Sequence, residues 1–192
     1  LFWVCAAGKN GVTAAKSLDN LLNKLKARFG EYSPFILIDK VGTHAALADL
    51  MKESGIGCYN AKAVTFAQLV SSAIDLRECT VDELMRIKGI GPKTARAFIV
   101  HSRPNQRVAA LDTHLLKFLR HQGIITPKST PTGKKYLELE AAFLSICDIR
   151  GLNYADTDLE IWKHYRENPE VKFDIERYTN DYHQYCTIGC SC

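Results

Sequence analysis

The chain has no apolar run approaching the ~20 residues that a membrane-spanning helix needs, so no helical membrane anchor is expected. Convincing apolar–polar alternation is also missing, which removes the usual signature of half-buried strands. Only "PFILID" reads as a possible extended segment. The opening "LFWVCAAG" is too short for the core of a signal peptide and has no basic leader, so no export signal is read. Position 1 is Leu rather than Met, and some native N-terminal sequence is expected to be missing. Without a secretion signal, scattered Cys58, Cys79 and Cys147, and Cys5 in its apolar run, read as reduced core cysteines. The expected location is the cytoplasm, beside the nucleoid if the source is prokaryotic.

Acid is the scarcest thing in one part of the chain. From Arg86 to Lys135 eleven Lys or Arg face one carboxylate, Asp112, a balance of +10. The remaining 14 basic and 20 acidic residues leave the rest of the chain at −6, although the whole carries only +4. A solvated surface ordinarily mixes both signs. A concentrated basic face suits a polyanion such as nucleic acid.

What remains is an ordinary globular composition, 46% hydrophobic and 24% charged over 192 residues. That length allows one large domain or two small lobes. Apolar residues recur at helical spacing in "AAKSLDNLLNKLKARFG", "THAALADLMKESG", "AKAVTFAQLVSSAIDL", "YLELEAAFLSICDIRG" and "YADTDLEIWKHYRE". "TVDELMRI" opens with Thr80 and places Glu83 as a capping box. "GIITPKSTPTGKK" reads as a loop. The expected class is all-α.

One stretch breaks the rhythm. In "IKGIGPKTARAFIV" a helix stops on Gly89-Ile90-Gly91, and Pro92 suits the first turn of the next. Helices over 80–87 and 92–101 would flank a tight turn at 88–91. Glycines there let another molecule approach the backbone, and the new helix start favours a phosphate. Lys88 and Arg96 flank the turn. Such a hairpin grips a nucleic-acid backbone without reading sequence. By itself, though, Gly-x-Gly equally describes a plain connection.

The wider pattern "LMRIKGIGPKTARAFI…VAALDTHLLKFL" resembles the helix–hairpin–helix plus Gly/Pro–Asp signature of the base-excision DNA glycosylases, the superfamily of endonuclease III and the 8-oxoguanine glycosylases. Gly89-Ile90-Gly91-Pro92-Lys93 fills its hairpin and Leu111-Asp112-Thr113-His114 its second half, with Lys93 and Asp112 nineteen residues apart. "GIGCYNAKAVTFAQLV", with Tyr59, Asn60, Lys62 and Ala63, is similar to the segment that precedes the hairpin. "LNYADTDLEIW", with Asp158 and Trp162, is similar to a late segment of some 8-oxoguanine glycosylases.

The resemblance implies a two-lobe helical fold (helix–hairpin–helix/Gly-Pro-Asp) with DNA in a cleft between the lobes. One lobe would take residues 1–20 and 137–192, the other 21–136 with the helix–hairpin–helix at 80–101. It implies a bifunctional glycosylase and AP lyase acting on double-stranded DNA with a damaged or modified base. Lys93 would attack the sugar C1′ as a neutral amine and form a Schiff base that undergoes β-elimination. Asp112 would stabilise the positive charge that develops on the sugar; its other reading, a helix N-cap, is compatible with that. Lys88, Gly89, Gly91, Arg96 and His114 would contact DNA. Base flipping leaves a gap, for which Lys9 and Asn10 in "AAGKNGVT" are the candidates, with Asp158 and Trp162 as further pocket candidates. Family members carrying an iron–sulfur cluster space its cysteines by six, two and five, whereas Cys186, Cys190 and Cys192 are spaced by three and one. A zinc site with His183 would set Cys190 and Cys192 awkwardly close. No metal and no cofactor are therefore expected, and the chain is expected to be a monomer without a membrane partner. Among substrates, 8-oxoguanine is the first choice, ahead of an oxidised pyrimidine or a bulky modified cytosine of the phage type. The rival function is a non-catalytic DNA-binding module, which would have no need of the Lys–Asp pair.

Overall fold

Local hydrogen-bond chemistry decides where the helices begin. The computed structural model describes the backbone of residues 1–189 and the side chains through residue 184. Among those residues it is helical, without strands. In chain order the helices are α1 (Phe2–Ala6), α2 (Gly11–Phe29), α3 (Pro34–Asp39), α4 (His44–Glu53), α5 (Tyr59–Ser71), α6 (Val81–Met85), α7 (Pro92–Ser102), α8 (Thr113–His121), α9 (Gly133–Arg150), α10 (Tyr154–Glu167) and α11 (Ile175–Gly189). Asn10, Thr43, Asp112 and Asn153 each accept a backbone N–H of the helix they precede. Thr80 and Glu83 close the expected capping box.

"PFILID" is helical, not extended: it forms α3. Ser33 accepts from Ile36 N, and Pro34 occupies the first turn, where its fixed φ already suits a helix. Short apolar runs carry no decisive period, so here the cap settles the conformation.

Two compact units divide the chain, Leu1–Ala95 and the described residues from Arg96 onward, with the division inside α7. The first unit buries Leu21, Leu25, Leu37, Met51, Ala63 and Phe66 completely. The second buries Leu111, Leu115, Leu116, Phe118, Phe143 and Ile161 completely, and Tyr136 and Tyr165 almost so. Each fully buried Leu, Ile, Met or Phe side chain contributes about 1.5–3 kcal/mol.

Cys5, Cys79 and Cys147 are buried and unbridged. Burial pushes the Cys147 thiol up to about 12. Cys58 departs from the expectation of a core residue: it is exposed, at the start of α5, with φ at 53° in the left-handed region. The side chains of Cys186, Cys190 and Cys192 lie outside the described residues. His183, the fourth member of that group, donates from Nε2 to Arg150 O at 2.8 Å.

Candidate functional site

In the first unit the hairpin is held from behind by α5. Lys88 N donates to Gln68 Oε1 at 2.9 Å, and the Thr65 hydroxyl donates to Lys88 O at 2.8 Å. Gly89 sits at φ +91°, and a Cβ there would run into Thr65 Oγ1. Glycine is thus required twice over, by backbone angle and by space. Gly91 differs, because a Cβ would meet nothing within 4 Å. Its carbonyl accepts Ala95 N at 3.0 Å, so Gly91 occupies the cap position of α7 with no side chain to fill it. Gly91 supplies no side-chain oxygen to the early amides of the helix, and a helix start of this kind favours an anion. Thr65 and Gln68 were not legible as hairpin supports, since each acts on a residue twenty or more positions away.

Lys93 stands on the first turn of α7, half-buried. No ion pair or hydrogen bond of its side chain is found among the described residues. Lys88 is exposed beside the glycines.

The loop between α1 and α2 carries Lys9 and Asn10, both exposed. Asn10 is committed to its cap, accepting Val12 N at 2.9 Å. Lys9 lies along Gly57, whose added Cβ would come 2.6 Å from Lys9 Cε. Lys62, 7% exposed, donates to Cys5 O at 2.9 Å and to Ala7 O at 3.3 Å. It thereby ties the end of α1, and the start of this loop, to α5.

In the second unit Asp112 takes the N-cap of α8. Its Oδ1 accepts both His114 N and Leu115 N at 2.8 Å. Oδ2 has no partner among the described residues. One oxygen anchors the carboxylate and the other is available. His114 stacks on Tyr165, with ring planes 7° apart and centroids at 6.3 Å, and meets the edge of Trp162 at 6.4 Å. The Arg166 guanidinium lies over the Trp162 ring at 5.0 Å. Asp112, His114 and Trp162 are therefore neighbours across α8 and α10.

Asp158 is elsewhere on α10. Its carboxylate is 2.9 Å from His101 Nε2, and His101 lines a cavity of about 410 Å³ with Arg103, Asn105, Gln106 and Asp156. Arg96, expected at the DNA backbone, is turned inward. It is only 8% exposed, its Nε donates to Glu140 Oε1 at 2.7 Å, and its guanidinium lies over the Tyr136 ring at 4.5 Å.

No helix among the described residues is long and apolar enough to cross a membrane. None of those residues group as three or more His, Cys, Asp or Glu able to hold a metal ion.

The family model described as 8-oxoguanine DNA glycosylase matches residues 12–152. An 8-oxoguanine DNA glycosylase/AP lyase of Aquifex aeolicus is 34% identical over 77 residues, which is 40% of this chain and 34% of that protein. The match thus spans about a third of that relative's length. Among solved structures, the 8-oxoguanine DNA glycosylase of Thermotoga maritima superposes with a TM-score of 0.65 at 20% identity, covering 90% of this chain and 79% of its own. The 8-oxoguanine glycosylase/lyase of Methanocaldococcus jannaschii, solved with a 15mer DNA containing 8-oxoguanine, gives a TM-score of 0.62 at 22% identity, covering 90% and 80%. At these identities the structural likeness speaks for the fold alone.

Proposed function

The chain belongs to the 8-oxoguanine DNA glycosylase family, within the helix–hairpin–helix/Gly-Pro-Asp superfamily, and on that premise we propose that it is a bifunctional glycosylase and AP lyase removing 8-oxoguanine from duplex DNA. The carrying observation is the pair of residues supplied at family spacing: an amine on a helix's first turn and a carboxylate fixed through one oxygen, neither the amine nor the second oxygen having a partner among the described residues.

The target nucleotide must leave the stack before either group can reach its sugar. The Lys93 amine, as the neutral base, then bonds to C1′ while the N-glycosidic bond breaks and the departing base takes up a proton. Asp112, ionised, faces the positive charge that grows on the sugar, and Oδ2 is the oxygen left to do so. Ring opening converts the adduct to a Schiff base. Loss of a C2′ proton then expels the 3′ phosphate and cuts the strand, and water releases the enzyme. The backbone is held at Lys88, Gly89 and Gly91, and His114 approaches it from the start of α8. Lys9 is the better candidate for the gap left by the flipped base, since the Asn10 side chain is spent on its cap. The protein acts as a monomer, in the compartment that holds the genome.

The test is a panel of duplexes bearing one 8-oxoguanine, one oxidised pyrimidine, one bulky modified cytosine, or no lesion. Single-turnover strand cleavage at 8-oxoguanine is expected to exceed the others by about tenfold or more. Faster cleavage of a pyrimidine lesion would replace the substrate assignment. Binding without cleavage of any duplex would leave the non-catalytic module.

The two glycines separate fold from grip. Gly89→Ala is expected to lower stability in denaturant titration by about 1–2 kcal/mol, from the left-handed backbone, with more from the collision with Thr65. Gly91→Ala has open space around its added methyl, so its cost is at most about 1 kcal/mol, the difference between Gly and Ala at a cap. Its duplex affinity is nevertheless expected to fall about tenfold, because the methyl occupies the approach of a phosphate. Unchanged affinity in the folded Gly91→Ala protein would take the backbone contact away from this turn.

A further inference from the structure

Residues 109–111 run directly into Asp112, are buried, and belong to no helix or sheet. Buried backbone must nonetheless find partners. Here side chains provide them. Tyr136 Oη donates to Ala109 O at 2.8 Å and accepts Leu111 N at 3.0 Å. Glu140 Oε1 accepts Ala109 N at 2.9 Å. Thr130 Oγ1 donates to Leu111 O at 3.0 Å. Both polar groups of Ala109 and both of Leu111 are thus satisfied by residues from α9 and the loop before it.

The two α9 residues are themselves fixed. Arg96 donates to the same Glu140 oxygen at 2.7 Å and lies over the Tyr136 ring at 4.5 Å. Tyr136 is 1% exposed and Glu140 7%, so neither side chain is a solvent-facing accident of the surface. Burial pushes the Tyr136 phenol upward, which keeps its proton available for Ala109 O. A buried network whose donors and acceptors are matched to one another in this way favours one geometry.

We propose that Tyr136, Glu140 and Thr130 are positioning residues for base removal: with Arg96 they form a side-chain clamp that replaces a strand partner for 109–111 and thereby sets where the Asp112 carboxylate stands. This rests on the assignment of Asp112 as the stabilising carboxylate. The clamp touches neither DNA nor the reacting atoms. It acts through the backbone one residue before Asp112, on a carboxylate whose displacement by about 1 Å would cost on the order of 100-fold in rate.

The test is a double-mutant cycle on the full chain, with a duplex carrying one 8-oxoguanine. Tyr136→Phe keeps the ring under Arg96 and removes only the hydroxyl. Its single-turnover base release is expected to fall about 10- to 100-fold, with duplex affinity within about twofold of the parent. In an Asp112→Asn background the same change is expected to have less than about a twofold effect, because the group being positioned is already disabled. A purely structural loss would instead slow both backgrounds equally, and that result overturns the clamp. A parent-like rate for Tyr136→Phe beside a slow Asp112→Asn also overturns the clamp alone. A parent-like rate for Asp112→Asn overturns the assignment of Asp112 and the clamp with it. Should Tyr136→Phe not fold, Thr130→Val, partly exposed and nearly isosteric, carries the same cycle, with about a threefold slowing expected in the parent background only.

Discussion

Lys93→Gln is expected to yield no covalent adduct when the protein meets abasic-site DNA in the presence of borohydride, whereas the parent is expected to be trapped. Borohydride reduces a Schiff base, so the adduct reports a bond between an amine and C1′ and nothing else. Glutamine keeps the polarity of the side chain, one bond shorter, but has no amine to attack. Because Lys93 has no hydrogen bond or ion pair among the described residues, its replacement removes no polar contact there. Stability is expected to stay within about 0.5 kcal/mol, and duplex binding to persist. Lesion-specific cleavage is expected to fall by about 10³-fold or more, the scale on which nucleophile removal acts. An adduct undiminished in Lys93→Gln would move the nucleophile to another amine. No adduct with the parent would favour a module that grips DNA without chemistry.

Asp112→Asn is expected to slow base release about 10²- to 10³-fold while leaving the fold in place. The substitution separates two jobs that one carboxylate performs. Asparagine caps a helix as well as aspartate does, and its side-chain oxygen can still accept His114 N and Leu115 N. What it loses is the charge. The stability cost is therefore limited to the lost attraction for the helix dipole, at most about 1 kcal/mol. Asp112→Ala loses the cap as well, and a further ~0.5–2 kcal/mol is expected in denaturant titration. Equal rates for Asp112→Asn and the parent would reduce Asp112 to a cap.

The parts of this architecture that were readable in the sequence are those whose causes are local. Gly89, Gly91, Pro92 and Lys93 fall within five consecutive positions, and the hairpin forms where they stand. Thr80 reaches Glu83, and Asp112 reaches His114 and Leu115, within one turn. Long-range pairing was not readable. Nothing near Arg96 says that its guanidinium turns inward to Glu140, 44 positions away, and its place beside the hairpin suggested DNA instead. Asp158 finds His101 across 57 positions. Cys58 looked like its buried relatives, because composition does not reveal that it lies on a left-handed turn. "PFILID" was ambiguous for a different reason: six residues hold too few repeats to show a period, and the deciding atom belongs to Ser33, outside the run.

The bonds from Thr65 and Gln68 to Lys88 have a consequence for genetics. The curvature that a phosphate would meet is stored partly in a second helix. A random library selected for weakened duplex affinity will return substitutions at 65 and 68 beside those at 88 and 91, and the two classes will differ only in how well the surviving proteins resist urea.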